Sequence, residues 1–323
     1  KLSGAIAISG DDALGATRTI VEHLKLGELV VIFVEGSISR TGQLMKLQRG
    51  YEVMARKANA PIVPVAHDGL WGTIFSFSAN RYIYKQPRLM RTHVHVEWGK
   101  PEPVTDLPVM ALRQRILDLG SAAFDQRPQL RRHLGREIVR GLARRPWSLE
   151  MIDRTKGRKE LKAGQLLAAA AALSRHIKRT VPERRVGIVL PPGAGGSIAN
   201  LAVLCAGKVP VNLNFTAGAA AIKSSLKVAE VETVISANAL RSKVKDFPWP
   251  EKTLDLATEI KSIGGKRAIL PWLLAAWFLP NQWTANMLEL PKRGDNEEAG
   301  LLFTSGSSGE PKGVVLTHRN VLS

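Results

Sequence analysis

Short uninterrupted apolar runs alternate along this chain with stretches whose apolar positions recur every three or four residues, the pattern of buried strands punctuated by amphipathic helices. Residues 4–8 predict a strand, and Asp11–Asp12 cap a helix that runs to about residue 26 and stops at Gly27. The run Leu29-Val30-Val31-Ile32-Phe33 predicts a strand buried on both faces. A helix over 42–58, a strand over 61–65 and an alternating strand over 92–98 follow. This β-α-β-α-β order predicts an α/β domain over residues 1–107.

Residues 108–150 read as a basic helical linker. Within it Leu130, Leu134, Ile138 and Leu142 form one stripe, and Arg132, Arg136, Arg140 and Arg144 form a second on the opposite side. Two readings stand equal: a helix lying on an anionic membrane surface, or one whose apolar side meets a core while its arginines are solvated. Pro146-Trp147 marks a boundary, and 154–162 reads as a charged connection. A second α/β pattern then fills 151–323, with helices over 161–179 and 197–206, a third through Lys223–Leu226, and strands over 186–190, 210–213 and 233–236. Two further strands, 299–303 and 313–316, flank a Gly/Ser loop, and a helix opens at 317–320. The stretch 269–283 carries Trp272, Trp277, Phe278 and Trp283 beside Lys266-Arg267; bilayer docking, core packing and cover for a neighbour all remain open for it.

A chain of 323 residues exceeds what one core usually organises, which agrees with two domains. The single cysteine, Cys205, excludes an internal disulfide, gives no metal cluster and reads as a buried core residue. The longest apolar stretch, 268–280, is too short to cross a bilayer. The formal charge is +18, and residues 127–185 hold seventeen Lys/Arg against five Asp/Glu. Such an excess seeks an anionic partner. Nucleic acid is the weakest choice, because the basic helix lacks interleaved aromatics and any reading motif. A start at Lys1 and a stop ten residues after the Gly/Ser loop are expected of a piece of a longer protein.

The chemistry concentrates in two loops. Thr304-Ser305-Gly306-Ser307-Ser308-Gly309-Glu310-Pro311-Lys312-Gly313 supplies glycines that turn backbone N–H groups toward one anion, hydroxyl donors, and the point charge of Lys312. That combination suits phosphate oxygens, and it lacks the Gly-Lys-Ser/Thr ending of a Walker loop. The second loop, Val34-Glu35-Gly36-Ser37-Ile38-Ser39-Arg40-Thr41-Gly42, packs a carboxylate, hydroxyls and an arginine after a strand end, where open α/β sheets place ligands.

The 304–313 run resembles the phosphate-binding loop of the adenylate-forming (acyl-CoA synthetase-like) superfamily, and 186–193 with 206–214 resembles that family's N-terminal structural unit. The resemblance implies ATP with Mg²⁺, held through Thr304, Ser305, Gly306, Ser307, Ser308, Gly309, Lys312 and Gly313. Residues 33–40 resemble the Phe-Pro-Glu-Gly-Thr-Arg-Ser block of glycerophospholipid acyltransferases, and Pro61-Ile62-Val63-Pro64-Val65 falls at their Val-Pro-Val block. This implies that Glu35, Gly36, Ser37 and Arg40 bind a phosphate ester. Val34 and Ile38 depart from that block, which moves the phosphate contact to Arg40. The family's catalytic His, with Asp five positions later, has no match at any of the seven histidines and is expected upstream of Lys1; adjacent His67-Asp68 has the wrong spacing.

The two modules in this order resemble the bacterial bifunctional 2-acylglycerophosphoethanolamine acyltransferase/acyl-carrier-protein synthetases. The implied architecture is two incomplete α/β domains, an acyltransferase-like sheet with flanking helices followed by the N-terminal subdomain of an adenylate-forming enzyme. The implied partners are acyl carrier protein, a lysophospholipid and an anionic membrane surface, at the cytoplasmic face of the bacterial inner membrane. Neither complete activity is expected of these 323 residues alone.

Overall fold

A computed structural model describes residues 6, 13–73, 76–77, 93–155, 157–305 and 311–323. The chain divides into two compact units, Lys1–Arg127 and Pro128–Ser323. The expected strand at 4–8 lies outside the described residues save Ile6.

In the first unit α1 (Ala13–Lys25) ends where Gly27 takes φ +80°, a left-handed conformation suited to glycine. Residues 29–33 join no strand ladder among the described residues, contrary to the expected buried strand. Val30 and Ile32 pack on Ile20, Val21 and Met54, whereas Leu29, Val31 and Phe33 point outward, Phe33 at 80% exposure. An all-apolar run identifies extended backbone but not whether both faces find cover. The helix expected over 42–58 begins only at α2 (Gly50–Ala58). Residues 44–48 are held instead by long-range bonds: Met45 N–H donates to Glu35, Gln48 N–H to the Val34 carbonyl, and Arg113 to the Leu44 and Met45 carbonyls. The strand expected at 61–65 starts four residues later, as β1 (Val65–Asp68), antiparallel to β2 (His95–Trp98). Helix α3 (Val109–Asp125) packs on this pair, and buried Tyr51, Leu47 and Leu112 join α2 to α3.

The second unit opens with a 3-10 turn (Pro128–Arg131) and α4 (Leu134–Arg144), so the helix expected to carry the Leu130–Leu142 stripe is broken at Arg132–His133. Its apolar side is in the core, with Val139 and Leu142 buried, and its arginines are engaged: Arg132 and Arg140 both bond Glu137, and Arg136 bonds the Leu290 carbonyl and the Asn286 side chain. Of the two readings of this helix, the structure places the apolar side in the core, but three of its arginines are paired with protein groups where that reading had them solvated. The expected charged connection is also ordered, as a hairpin of β3 (Leu149–Asp153) and β4 (Lys159–Lys162). Next come α5 (Ala163–Thr180), β5 (Arg185–Ile188), α6 (Ala194–Cys205), β6 (Val209–Asn212), α7 (Ala219–Val228), β7 (Thr233–Ser236), α8 (Asn238–Arg241), β8 (Lys252–Asp255) and α9 (Leu256–Ser262). The unit ends with α10 (Lys266–Phe278), α11 (Asn281–Met287), β9 (Glu298–Ser305), β10 (Pro311–Thr317) and α12 (His318–Leu322).

The sheet runs β10-β9-β6-β5-β7-β8, parallel except for the β9–β10 hairpin. Alternation along β5 covers both faces: Val186 and Ile188 meet the helical layer of α4, α5, α6 and α10, while Gly187 faces Val231 and Val234 on the α7 side. The alanine run of α5 is buried almost all round because small side chains let α6 and α10 approach closely. Among the described residues no helix is long and apolar enough to cross a membrane.

Candidate functional site

Parallel β5, β6, β7, β8 and β9 bring their carboxyl ends to one edge of the sheet. From β5 the chain passes to β6 on one side and then returns to β7 on the other, the switch in strand order beside which open α/β sheets leave a crevice. Most polar groups along this edge are tied to one another. Asp153 accepts from the Ala194 N–H at 2.9 Å, and from both the N–H and the hydroxyl of Thr155, which together hold its carboxyl down to about 2. Its carboxylate thus occupies the start of α6, after Gly193 at φ +155°. Asp255 caps α9 through the Thr258 N–H and also accepts from the Asn238 N–H at 2.6 Å. Asn200 and Asn212 exchange reciprocal amide bonds of 3.0 and 2.8 Å.

The hairpin at the same edge is arranged differently. Thr304 lies directly opposite Lys312, and Ser305 opposite Pro311, at the carboxyl end of β9. Gly306, Ser307, Ser308 and Gly309 of the expected phosphate loop lie outside the described residues. Gly313 sits in β10 opposite Phe303. Thr304 and Lys312 expose their side chains on one face of the hairpin, with a long 3.5 Å contact from the Thr304 hydroxyl to the Lys312 carbonyl. The Lys312 ammonium has no partner among the described residues. A hydroxyl and an ammonium flanking a Gly/Ser segment suit phosphate oxygens. Among the described residues no group of three or more His, Cys, Asp or Glu is positioned to hold a metal.

Two features behind the hairpin fix its direction. Arg185 on β5 makes a bidentate pair with Glu298 at the start of β9, with Nε–Oε1 3.0 Å and Nη2–Oε2 3.1 Å. At the far end of β10, Thr317 and Asn320 form a reciprocal cap on α12, whose first residue, His318, is buried. His318 Nδ1 accepts from the Leu134 N–H at 3.0 Å, and His133 Nδ1 accepts from the Arg136 N–H, so two imidazoles 4.1 Å apart cap α4. Burial, His318 and Arg136 hold His133 down to about 4, and burial also lowers His318. The sequence offered His318 no distinguishing signal; the long-range contact supplies its role.

In the first unit the 34–42 loop is built by its own side chains. Gly36 takes φ +70° in a turn closed by its N–H to the Phe33 carbonyl. Ser39 accepts from the Gly42 N–H at 2.9 Å and donates to the Gln43 carbonyl. Glu35 turns its carboxylate to the Met45 N–H at 2.7 Å, while Arg40 lies over the Phe77 ring at 5.2 Å and Ser37 is exposed. These residues share one loop, but Glu35 and Arg40 engage different partners. Asp68 forms a two-point pair with Arg127, at 2.5 and 2.6 Å, which holds its carboxyl below the usual range and makes it a structural residue.

Comparison with known proteins follows the same division. An acyltransferase family model matches residues 1–68, and the AMP-binding enzyme model matches residues 140–323. A 4-coumarate–CoA ligase-like protein of Oryza sativa subsp. japonica is 26% identical over 181 residues, covering 54% of this chain and 30% of that protein. D-lysergyl-peptide-synthetase subunit 1 of Claviceps purpurea is 30% identical over 159 residues, covering 49% of this chain and 4% of its own length. The chain thus spans less than a third of either curated relative. The solved N-terminal subdomain of Klebsiella oxytoca NpsA, in complex with 3-hydroxybenzoyl-AMSN, aligns at a TM-score of 0.44 and 19% identity over 60% of this chain and 43% of that one. With more than half of its length matched by one family, the chain belongs to the AMP-binding enzymes, preceded by a segment that matches the acyltransferases.

Proposed function

We propose that this chain is part of an enzyme that activates a fatty acid with ATP and passes the acyl group to a lysophospholipid. In the second unit Mg²⁺–ATP would sit with its phosphates over the 304–313 loop, Lys312 and Thr304 supplying charge and a donor. The fatty-acid carboxylate attacks the α-phosphate and pyrophosphate leaves; the thiol of an acyl carrier protein then attacks the acyl carbonyl and AMP leaves. Transfer to the free hydroxyl of a 2-acylglycerophosphoethanolamine, releasing the carrier thiol, falls to the acyltransferase module at the cytoplasmic face of a bacterial inner membrane. Glu35, Gly36, Ser37 and Arg40 would belong to its acceptor loop, and the His/Asp base would lie outside these residues. Neither full activity is expected of the 323 residues by themselves.

One observation carries this reading: the cross-strand pair Thr304–Lys312 at the mouth of a Gly/Ser loop, on the carboxyl edge of the sheet. Titration of the chain with Mg²⁺–ATP tests it. Saturable binding, weakened roughly ten-fold in Lys312→Ala, is expected, since a charge-assisted phosphate contact is worth roughly 1.5–3 kcal/mol. Equal affinity in the variant would remove Lys312 from the site. The net charge of +18 keeps a nucleic-acid-binding reading as the rival. Filter binding at graded salt separates the two: tight, steeply salt-dependent nucleic-acid binding without ATP binding would favour the rival.

A further inference from the structure

Helix α10 is apolar on both sides, and only one side is covered. Trp272, Ala275 and Ala276 are buried against the core, with the Arg175 guanidinium 4.8 Å from the Trp272 ring. At 100° per residue the opposite side carries Lys266, Arg267, Leu270, Leu274, Trp277 and Phe278 together. All six are exposed, Phe278 at 77%. Trp147, at 58% exposure, meets Trp277 edge-to-face with ring centroids 6.4 Å apart and extends the apolar surface beyond the helix. Soluble proteins seldom leave so many large apolar side chains together without a partner.

We propose that this surface docks onto an anionic lipid bilayer. Charge selects that occupant. Lys266 and Arg267 stand at one end of the strip, exposed Arg144 and Arg145 lead into Trp147, and residues 266–288 contain no acidic side chain. Aromatic rings with wet edges and a basic rim fit the headgroup boundary of a negatively charged membrane. Thirteen residues rise only about 20 Å, short of a hydrocarbon core, so α10 lies on such a surface instead of crossing it. The inference deepens the lipid-directed reading above, on which its purpose rests. It would bring the second unit to the surface where a lysophospholipid acceptor is found.

The test is co-sedimentation of the full 323-residue chain with phosphatidylcholine vesicles, with and without phosphatidylglycerol, alongside tryptophan emission and quenching by brominated lipid. Binding only to anionic vesicles, with quenched emission, is expected. Phe278→Asp should weaken it about ten-fold, and Lys266→Gln about five-fold per charge removed. Thermal melts confirm that these exposed-site variants fold, and brominated-lipid quenching of the unmodified chain reads contact without any variant. Three results overturn the proposal: no anionic-vesicle binding, binding unchanged in both variants, or a dimer that Phe278→Asp converts to monomer. Measuring Mg²⁺–ATP affinity in parallel separates the two readings. Lost vesicle binding with ATP binding retained ends only the docking surface, and the converse ends only the enzymatic reading.

Discussion

The two histidines that cap α4 make folding stability depend on pH. His133 is 4% exposed, its Nδ1 accepts the Arg136 N–H, and protonation would turn that acceptor into a donor. A charge there would also face the positive end of α4, Arg136 and the His318 ring. Glu297 acts in the opposite sense on His318, but burial dominates and keeps it lowered as well. A histidine whose pKa falls from 6.5 to about 4 on folding takes up its proton more readily in the unfolded chain. Its stabilisation is therefore complete above about pH 6.5 and is lost as pH falls toward 4. At about 1.36 kcal/mol per pKa unit, His133 alone accounts for about 3 kcal/mol, or roughly 10 °C in melting temperature for a unit of this size. Urea melts from pH 7.5 to 4.5 measure this directly. In His133→Asn the side-chain oxygen keeps the cap and the titration is gone, so the variant starts less stable at neutral pH but has the shallower slope. A parent whose stability is flat across that interval, or a variant with an unchanged slope, refutes the assignment.

Other perturbations address separate links. Gly187→Ala on β5 would place a methyl carbon 2.8 Å from Val234 and 2.9 Å from Val231, and overpacking of that kind should cost about 1–3 kcal/mol in a denaturant melt. Asp68→Asn keeps the shape of the pair with Arg127 but removes its charge, so a loss of roughly 2 kcal/mol is expected near neutral pH. That difference should vanish below the carboxyl's lowered pKa, because the parent's Asp68 is protonated there too. Asp255→Ala removes the cap from α9 and the bond to Asn238, and about 1 kcal/mol of lost stability is expected from the same melts.

The parts of the fold legible in the sequence were those whose own apolar pattern or stop residue is distinctive. Strand β7 occupies 233–236 as its apolar run predicts, α5 fills nearly the predicted 161–179, and Gly27 ends α1. The parts that were not legible depend on distant contacts. Arg113, far along the chain, holds the Leu44 and Met45 carbonyls and prevents a helix that local preference favours. Strand β8 is four residues long and amphipathic, and it becomes a strand by pairing with β7, register Val234–Thr253 and Ile235–Leu254. The candidate phosphate site was legible as composition and as a loop between two strands. The cross-strand placement of Thr304 against Lys312 needed the hairpin register, which no residue type encodes.

The arginine stripe at 132–144 shows why a charge pattern underdetermines its role. Periodicity established two opposed faces, and that geometry is common to a membrane-surface helix and a core-packed one. What separates them is whether the cations find protein partners. Arg132 and Arg140 share Glu137, and Arg136 reaches α11 and the Leu290 carbonyl, so these guanidinium groups hold α4 in place and are poorly available to a lipid surface. On α10 the relation is inverted: apolar residues stand on both sides, yet one side has no cover and its flanking cations have no acidic neighbours in sequence. Anionic-surface affinity should therefore follow substitutions on α10 and leave Arg140→Gln with vesicle binding unchanged but with reduced stability. If Arg140→Gln weakened vesicle binding as strongly as Lys266→Gln, the distinction between engaged and available cations would fail.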